Sequence, residues 1–163
     1  MLRRSRVYDP TRYARKVEPV EVAEGLSPWP KARGNTAAQK AGIAYERACA
    51  RWFKASGVPA RAGVWLHYRE AEGKPAWAGP DFVILEGRLA PMIVECKLTF
   101  RPAAIDQMEN LYLPLAEALW GAVGRWKRVA LVKRWHVSAE QYLKIADLSE
   151  ALPRAQVLFL PVL

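Results

Sequence analysis

A chain of 163 residues suits one domain and is long enough to bury a real core. Its 25 Lys and Arg against 16 Asp and Glu give a net charge of +9, which favours a polyanionic partner without choosing between DNA, RNA and an anionic membrane surface. No apolar stretch approaches the roughly 20 residues of a bilayer crossing, and the basic opening Met1-Leu2-Arg3-Arg4-Ser5-Arg6 lacks the apolar run of a secretory signal, so a cytoplasmic protein with no membrane partner is expected.

Residues 1–35 read as an extended basic arm. Arg3, Arg4, Arg6, Arg12, Arg15 and Lys16 cluster early, and Pro19, Pro28 and Pro30 follow with little periodicity. A domain over 36–163 comes next. Asn35 or Thr36 can cap a helix running to about Ser56, where Gly57-Val58-Pro59 stops it. Residues 62–69 have strand character, and a loop over Glu70–Pro80 leads to two short apolar runs, Phe82-Val83-Ile84-Leu85 and Met92-Ile93-Val94. The break at Glu86-Gly87-Arg88 makes these an antiparallel hairpin. A helix over about Pro102–Gly121, kinked at Pro114, precedes a strand at Val129–Val132, a helix over Ser138–Leu148 and a strand at Val157–Leu160. That order predicts an α/β fold, a mixed sheet flanked by helices.

The hairpin carries the chemistry. If its turn centres near Gly87-Arg88, Asp81 faces Glu95, and directly opposed residues have Cβ atoms roughly 5 Å apart. Two carboxylates so placed can share one divalent cation. Alternation puts Lys97 on the face of Glu95 and turns Val94 and Cys96 the other way. Two acids and a lysine at a strand end suit metal-assisted phosphodiester hydrolysis. Asp81 alone could be an ordinary turn residue, and Glu95-Cys96-Lys97 alone a solvated pair at a strand edge.

Glu46 lies on an apolar helical stripe among Gly42, Ile43, Cys49, Ala50 and Phe53. A carboxylate there costs free energy unless a cation or hydrogen bond meets it. It reads as an active-site acid, or more plainly as a boundary glutamate paired with an arginine. Gln107, early on the next helix, can orient water or hold a phosphate. Lys40, Arg47, Lys133 and Arg134 are candidate phosphate contacts, and Trp135-His136 a candidate base-stacking platform. Cys49 and Cys96 form no CxxC pair and read as small, reduced core residues rather than zinc ligands.

At Pro80-Asp81, Glu95-Cys96-Lys97 and the upstream Glu46, the chain resembles the PD-(D/E)XK nuclease superfamily. The resemblance covers about residues 36–135 and implies a restriction-endonuclease-like αβββαβ core. Gln107 looks like the helix glutamine of the RecB-like branch, although Leu111 stands where that branch has its tyrosine and Tyr112 comes one later. Lys40 to Glu46, Glu95 to Thr99 and Leu111 to Pro114 are similar to small phage-type nucleases; small size and basic charge are similar to Holliday-junction resolvases, which act as homodimers. The resemblance implies Mg²⁺ or Mn²⁺ held by Asp81, Glu95 and the Cys96 carbonyl, with Glu46 assisting, and Lys97 and Gln107 completing a DNA-cleaving site. A nucleic-acid-binding protein without catalysis is the expectation from another class.

Overall fold

The computed structural model describes residues 18–24, 36–69, 75–86, 90–134 and 155–160. The expected helix at 138–148 and the Trp135-His136 pair lie outside them.

Helix α1 spans Ala37–Ala55. It starts at Thr36 through reciprocal bonds: the Gln39 N–H donates to Thr36 Oγ1, and the Thr36 N–H donates to Gln39 Oε1. Ser56 and Gly57, the latter at φ +68°, end it. Its buried face is Tyr45, Ala48, Cys49 and Phe53.

A five-stranded mixed sheet lies beneath the helix, in the order β2 (Ala60–Ala62), β5 (Phe82–Ile84), β6 (Met92–Thr99), β7 (Lys127–Arg134) and β8 (Ala155–Phe159). The first three strands pair antiparallel and the last three parallel. Such mixing needs a crossover between β6 and β7. Helix α2 (Pro102–Gln107), a π-helical turn (Met108–Tyr112) and helix α3 (Leu113–Trp120) supply it. The mixed α/β architecture expected from the element order is therefore present.

Alternation along β6 divides the core. Val94 and Cys96 pack with Tyr45, Cys49 and Phe53 of α1. Ile93 packs on the opposite face with Ile105, Met108, Leu111 and Leu115 of the crossover.

Three local features differ from the expectation. The single strand foreseen at 62–69 is two strands, because Gly63 at φ +68° turns the chain from one sheet to another. The second piece, β3 (Val64–Arg69), belongs to a three-stranded antiparallel sheet between β1 (Glu18–Glu24) and β4 (Pro75–Ala78). Part of the expected arm is thus an edge strand, and Pro19 is tolerated because the ladder bulges between Pro19 and Glu21. The helix foreseen over 102–121 is interrupted before Pro114. The Leu113 N–H donates to the Met108 carbonyl, five residues back, so the turn is wider by one residue. Pro114, which has no N–H to give, opens the following helix. Glu109 anchors this turn through Oε2 to Nε of buried Arg128 on β7, at 2.7 Å.

Candidate active site

Strands β5 and β6 pair as Phe82↔Val94, Val83↔Ile93 and Ile84↔Met92. One further step sets Asp81 against Glu95, the register expected from a turn near Gly87-Arg88. Where the backbone ladder stops, a side chain takes over: Asp81 Oδ2 accepts the Cys96 N–H at 2.6 Å. On the same face of β6, Lys97 Nζ donates to Glu95 Oε1 at 2.5 Å. Glu95 is only 5% exposed, and its second oxygen, Oε2, is buried with no partner among the described residues.

Helix α1 brings Glu46 to this strand end. Cys49, one turn on, is fully buried in the cluster that holds Cys96, which fixes the helix over β6. Glu46 is half-buried and lines two clefts. The larger, about 540 Å³, runs past Gln39, Lys97, Thr99 and Arg101. The smaller, about 290 Å³, runs past Arg47, Trp65, Gly79 and Asp81. Glu46 is the hinge between them.

The electrostatics follow from crowding three acids around one lysine. Burial, and then the Asp81 charge, push Glu46 up to about 7 against the pull of Lys97 and Arg47. Burial pushes Glu95 to about 7 as well; Asp81 adds to the rise and Lys97 opposes it. Burial raises Asp81, against the Lys97 charge and the Cys96 N–H. Lys97 would be lowered by its own burial, but Glu95 and Asp81 outweigh this and hold its ammonium above the ordinary range. Without an added cation the cluster keeps protons near neutrality that ordinary carboxylates have lost.

This environment fits a hard divalent ion: the donors are carboxylate oxygens, and Glu95 Oε2 is buried without a partner. Among the described residues no group of three or more His, Cys, Asp or Glu side chains gathers as a ready cage.

The other expected residues are spread around this centre. Gln107 is half-buried and donates from Nε2 to Tyr112 Oη at 2.6 Å, and Tyr112 Oη donates to the Gly79 carbonyl at 3.3 Å. Its route to the site is indirect, through the loop that carries Asp81. One extra residue in the π-turn brings position 112, rather than 111, beside Gln107. Arg47 lies exposed on the smaller cleft, whereas exposed Lys40 is absent from both cleft linings. Lys133 sits 5.9 Å over the Tyr45 ring, and Arg134 is exposed at the end of β7.

Two cleft residues escaped the sequence reading. Arg101 sits where β6 gives way to α2, beside Lys97 in the larger cleft. Trp65 packs so tightly on Gly79 that a Cβ there would lie 2.6 Å from an indole carbon. A single tryptophan against a Gly-Pro-Asp turn gave no signal in a chain with seven tryptophans.

No family model, curated protein or solved structure matches this chain.

Proposed function

We propose that this chain is a metal-dependent nuclease that hydrolyses DNA phosphodiester bonds, built on a restriction-endonuclease-like core and related to the PD-(D/E)XK enzymes. The arrangement that supports this reading is the strand end itself: the ladder runs to Phe82↔Val94, Asp81 accepts the Cys96 N–H, Lys97 pairs with Glu95, and Glu46 shares one cleft with Lys97 and another with Asp81. A solvated surface pair does not explain a carboxylate 5% exposed with an unpartnered oxygen.

Asp81 and Glu95, with the Cys96 carbonyl, would hold Mg²⁺ or Mn²⁺, and Glu46, which lines the same cleft as Asp81, would assist. The bound ion would supply Lewis acidity toward the phosphoryl oxygen and the attacking water. Lys97 stays protonated, so its part is to place positive charge on the phosphate or orient the water, not to take a proton. Glu46, a carboxylate that lines both clefts, is placed to accept one. Arg47 and Arg101 line the two clefts and suit the flanking phosphates. Gln107 and Tyr112 hold the Gly79-Pro80-Asp81 loop in place.

The test is a cleavage assay on labelled linear duplex, single-stranded, flapped and four-way-junction DNA, with Mg²⁺, Mn²⁺ or EDTA. Metal-dependent cutting lost in Glu95→Ala supports the nuclease. Salt-sensitive binding that needs no metal and survives Glu95→Ala, without cutting of any substrate, would instead support a non-catalytic binding protein.

A further inference from the structure

The nuclease reading leaves one surface unexplained. In β3, Val64, Leu66 and Tyr68 are buried in the core, so alternation turns Trp65, His67 and Arg69 to the opposite face. In β4, Ala76 and Ala78 are buried, and Trp77 lies directly across from His67. The His67 and Trp77 rings stack at 4.5 Å and 23°. All three aromatic residues are half-buried rather than part of the core. Trp65 lines the same cleft as Glu46 and Asp81, so the aromatic series starts at the candidate active site and leads away from it.

We propose that Trp65, His67 and Trp77 form a stacking track for unpaired nucleobases, and that the substrate is single-stranded or flapped DNA rather than continuous duplex. This rests on the nuclease reading for its choice of substrate. Residues two apart on a strand face are about 7 Å apart, a step that an extended nucleic-acid strand can span with each nucleotide. Every base offers a π-face, so such a track binds without reading sequence. Bases within a duplex have both faces covered by their neighbours and cannot use it. β3 and β4 themselves contain no acid; on the neighbouring strand β1, Glu21 pairs across from His67 and Glu18 across from Arg69, so the rings rather than the local charge carry the track. Arg69 lies exposed at the far end, and Arg47 is exposed at the cleft. Stacking on the rings, with Arg47 at the cleft end, holds a strand by its bases and by its phosphates together.

The experiment uses the full chain in EDTA, where binding is separated from cutting. Fluorescence anisotropy would compare a short labelled single strand, the same strand carrying abasic sites, and the blunt duplex. The track predicts single strand bound at least tenfold more tightly than duplex, and a roughly tenfold loss on removing the bases. Trp77→Ala should weaken single-strand binding by about tenfold while sparing duplex, and Trp77→Phe should keep most of the affinity. An abasic strand bound as tightly as the intact one overturns the proposal, and this arm uses only wild-type protein. Cutting in Mn²⁺ is scored separately. Cutting without base-dependent binding removes the track and leaves the nuclease; base-dependent binding without cutting leaves the track and removes the nuclease.

Discussion

Asp81 Oδ2 accepts the Cys96 backbone N–H at 2.6 Å, so a carboxylate closes the hairpin at the point where its backbone ladder ends. The same bond holds the Asp81 charge beside Glu95, raising the Glu95 pKa. An Asp81→Asn side chain can still accept from Cys96 but brings no charge. Its expected effects are a folded protein, with stability changed by about 1 kcal/mol or less, and Mn²⁺ affinity reduced roughly tenfold or more. Isothermal titration calorimetry measures the second effect, and unchanged affinity would remove Asp81 from the ligand set.

On the proposed mechanism, Lys97 serves turnover and not metal binding. Its ammonium is held by Glu95 and Asp81, so Lys97→Gln leaves both acids in place and removes one competing cation. Mn²⁺ affinity should hold or tighten, while the cleavage rate falls by on the order of a hundredfold or more. Parallel loss of metal binding and rate would make Lys97 a structural residue instead.

Gly79 has no room to grow. A Cβ there would meet Trp65 at 2.6 Å, forcing either the indole or the turn before Asp81 to move. Gly79→Ala should cost about 1–3 kcal/mol in chemical denaturation. It should also lower single-strand binding and cutting together, since the displaced groups belong to both proposed sites.

Tyr112→Phe cuts the link from the π-turn to the Asp81 loop. It removes the bond to the Gly79 carbonyl and the acceptor of Gln107, at a cost of about 1 kcal/mol. Gln107→Ala should produce the same partial fall in rate, and the double variant should fall no further. Additive losses would mean that Gln107 acts on substrate by itself.

The hairpin was legible because three things agree in the sequence: two apolar runs, a polar break of turn residues, and a spacing that admits one register. Glu46 was legible because an acid on an apolar helical stripe is a physical anomaly. The three-stranded sheet was not. Pro75-Ala76-Trp77-Ala78 has one residue of strong strand preference, and β1 lies in a proline-bearing basic segment; both are held by pairing with β3 rather than by their own pattern. Gly63 was visible, but a glycine inside a strand does not announce that the chain is changing sheets. The π-turn was hidden for a related reason. Helical periodicity places residue 111 beside residue 107, and only the backbone around Pro114 reveals the added residue that substitutes 112.

The raised acidities set a pH dependence of stability. Glu46 and Glu95 titrate near 7 in the folded protein against an ordinary value of 4.5. Between those values the folded state holds protons that the unfolded chain has released, so stability falls as pH rises through the window. Thermal unfolding in EDTA should therefore come earlier at about pH 7.5 than at about pH 5, and the difference should shrink in Glu95→Gln. Excess Mn²⁺ should restore stability most at the higher pH, because it binds the deprotonated carboxylates. A melting temperature in EDTA that rises across this window, equally in both proteins, would contradict the buried acidic cluster.

The most direct measurement of the central claim is a time course of cleavage of labelled flapped DNA in Mn²⁺ by wild type and Glu95→Gln side by side. Glutamine fills the same space and removes the buried charge, so both proteins should fold, with the variant at least as stable in EDTA. The account predicts cutting by wild type that stops on adding EDTA and a loss of on the order of a hundredfold or more in the variant. A folded Glu95→Gln protein that cuts at the wild-type rate would contradict it.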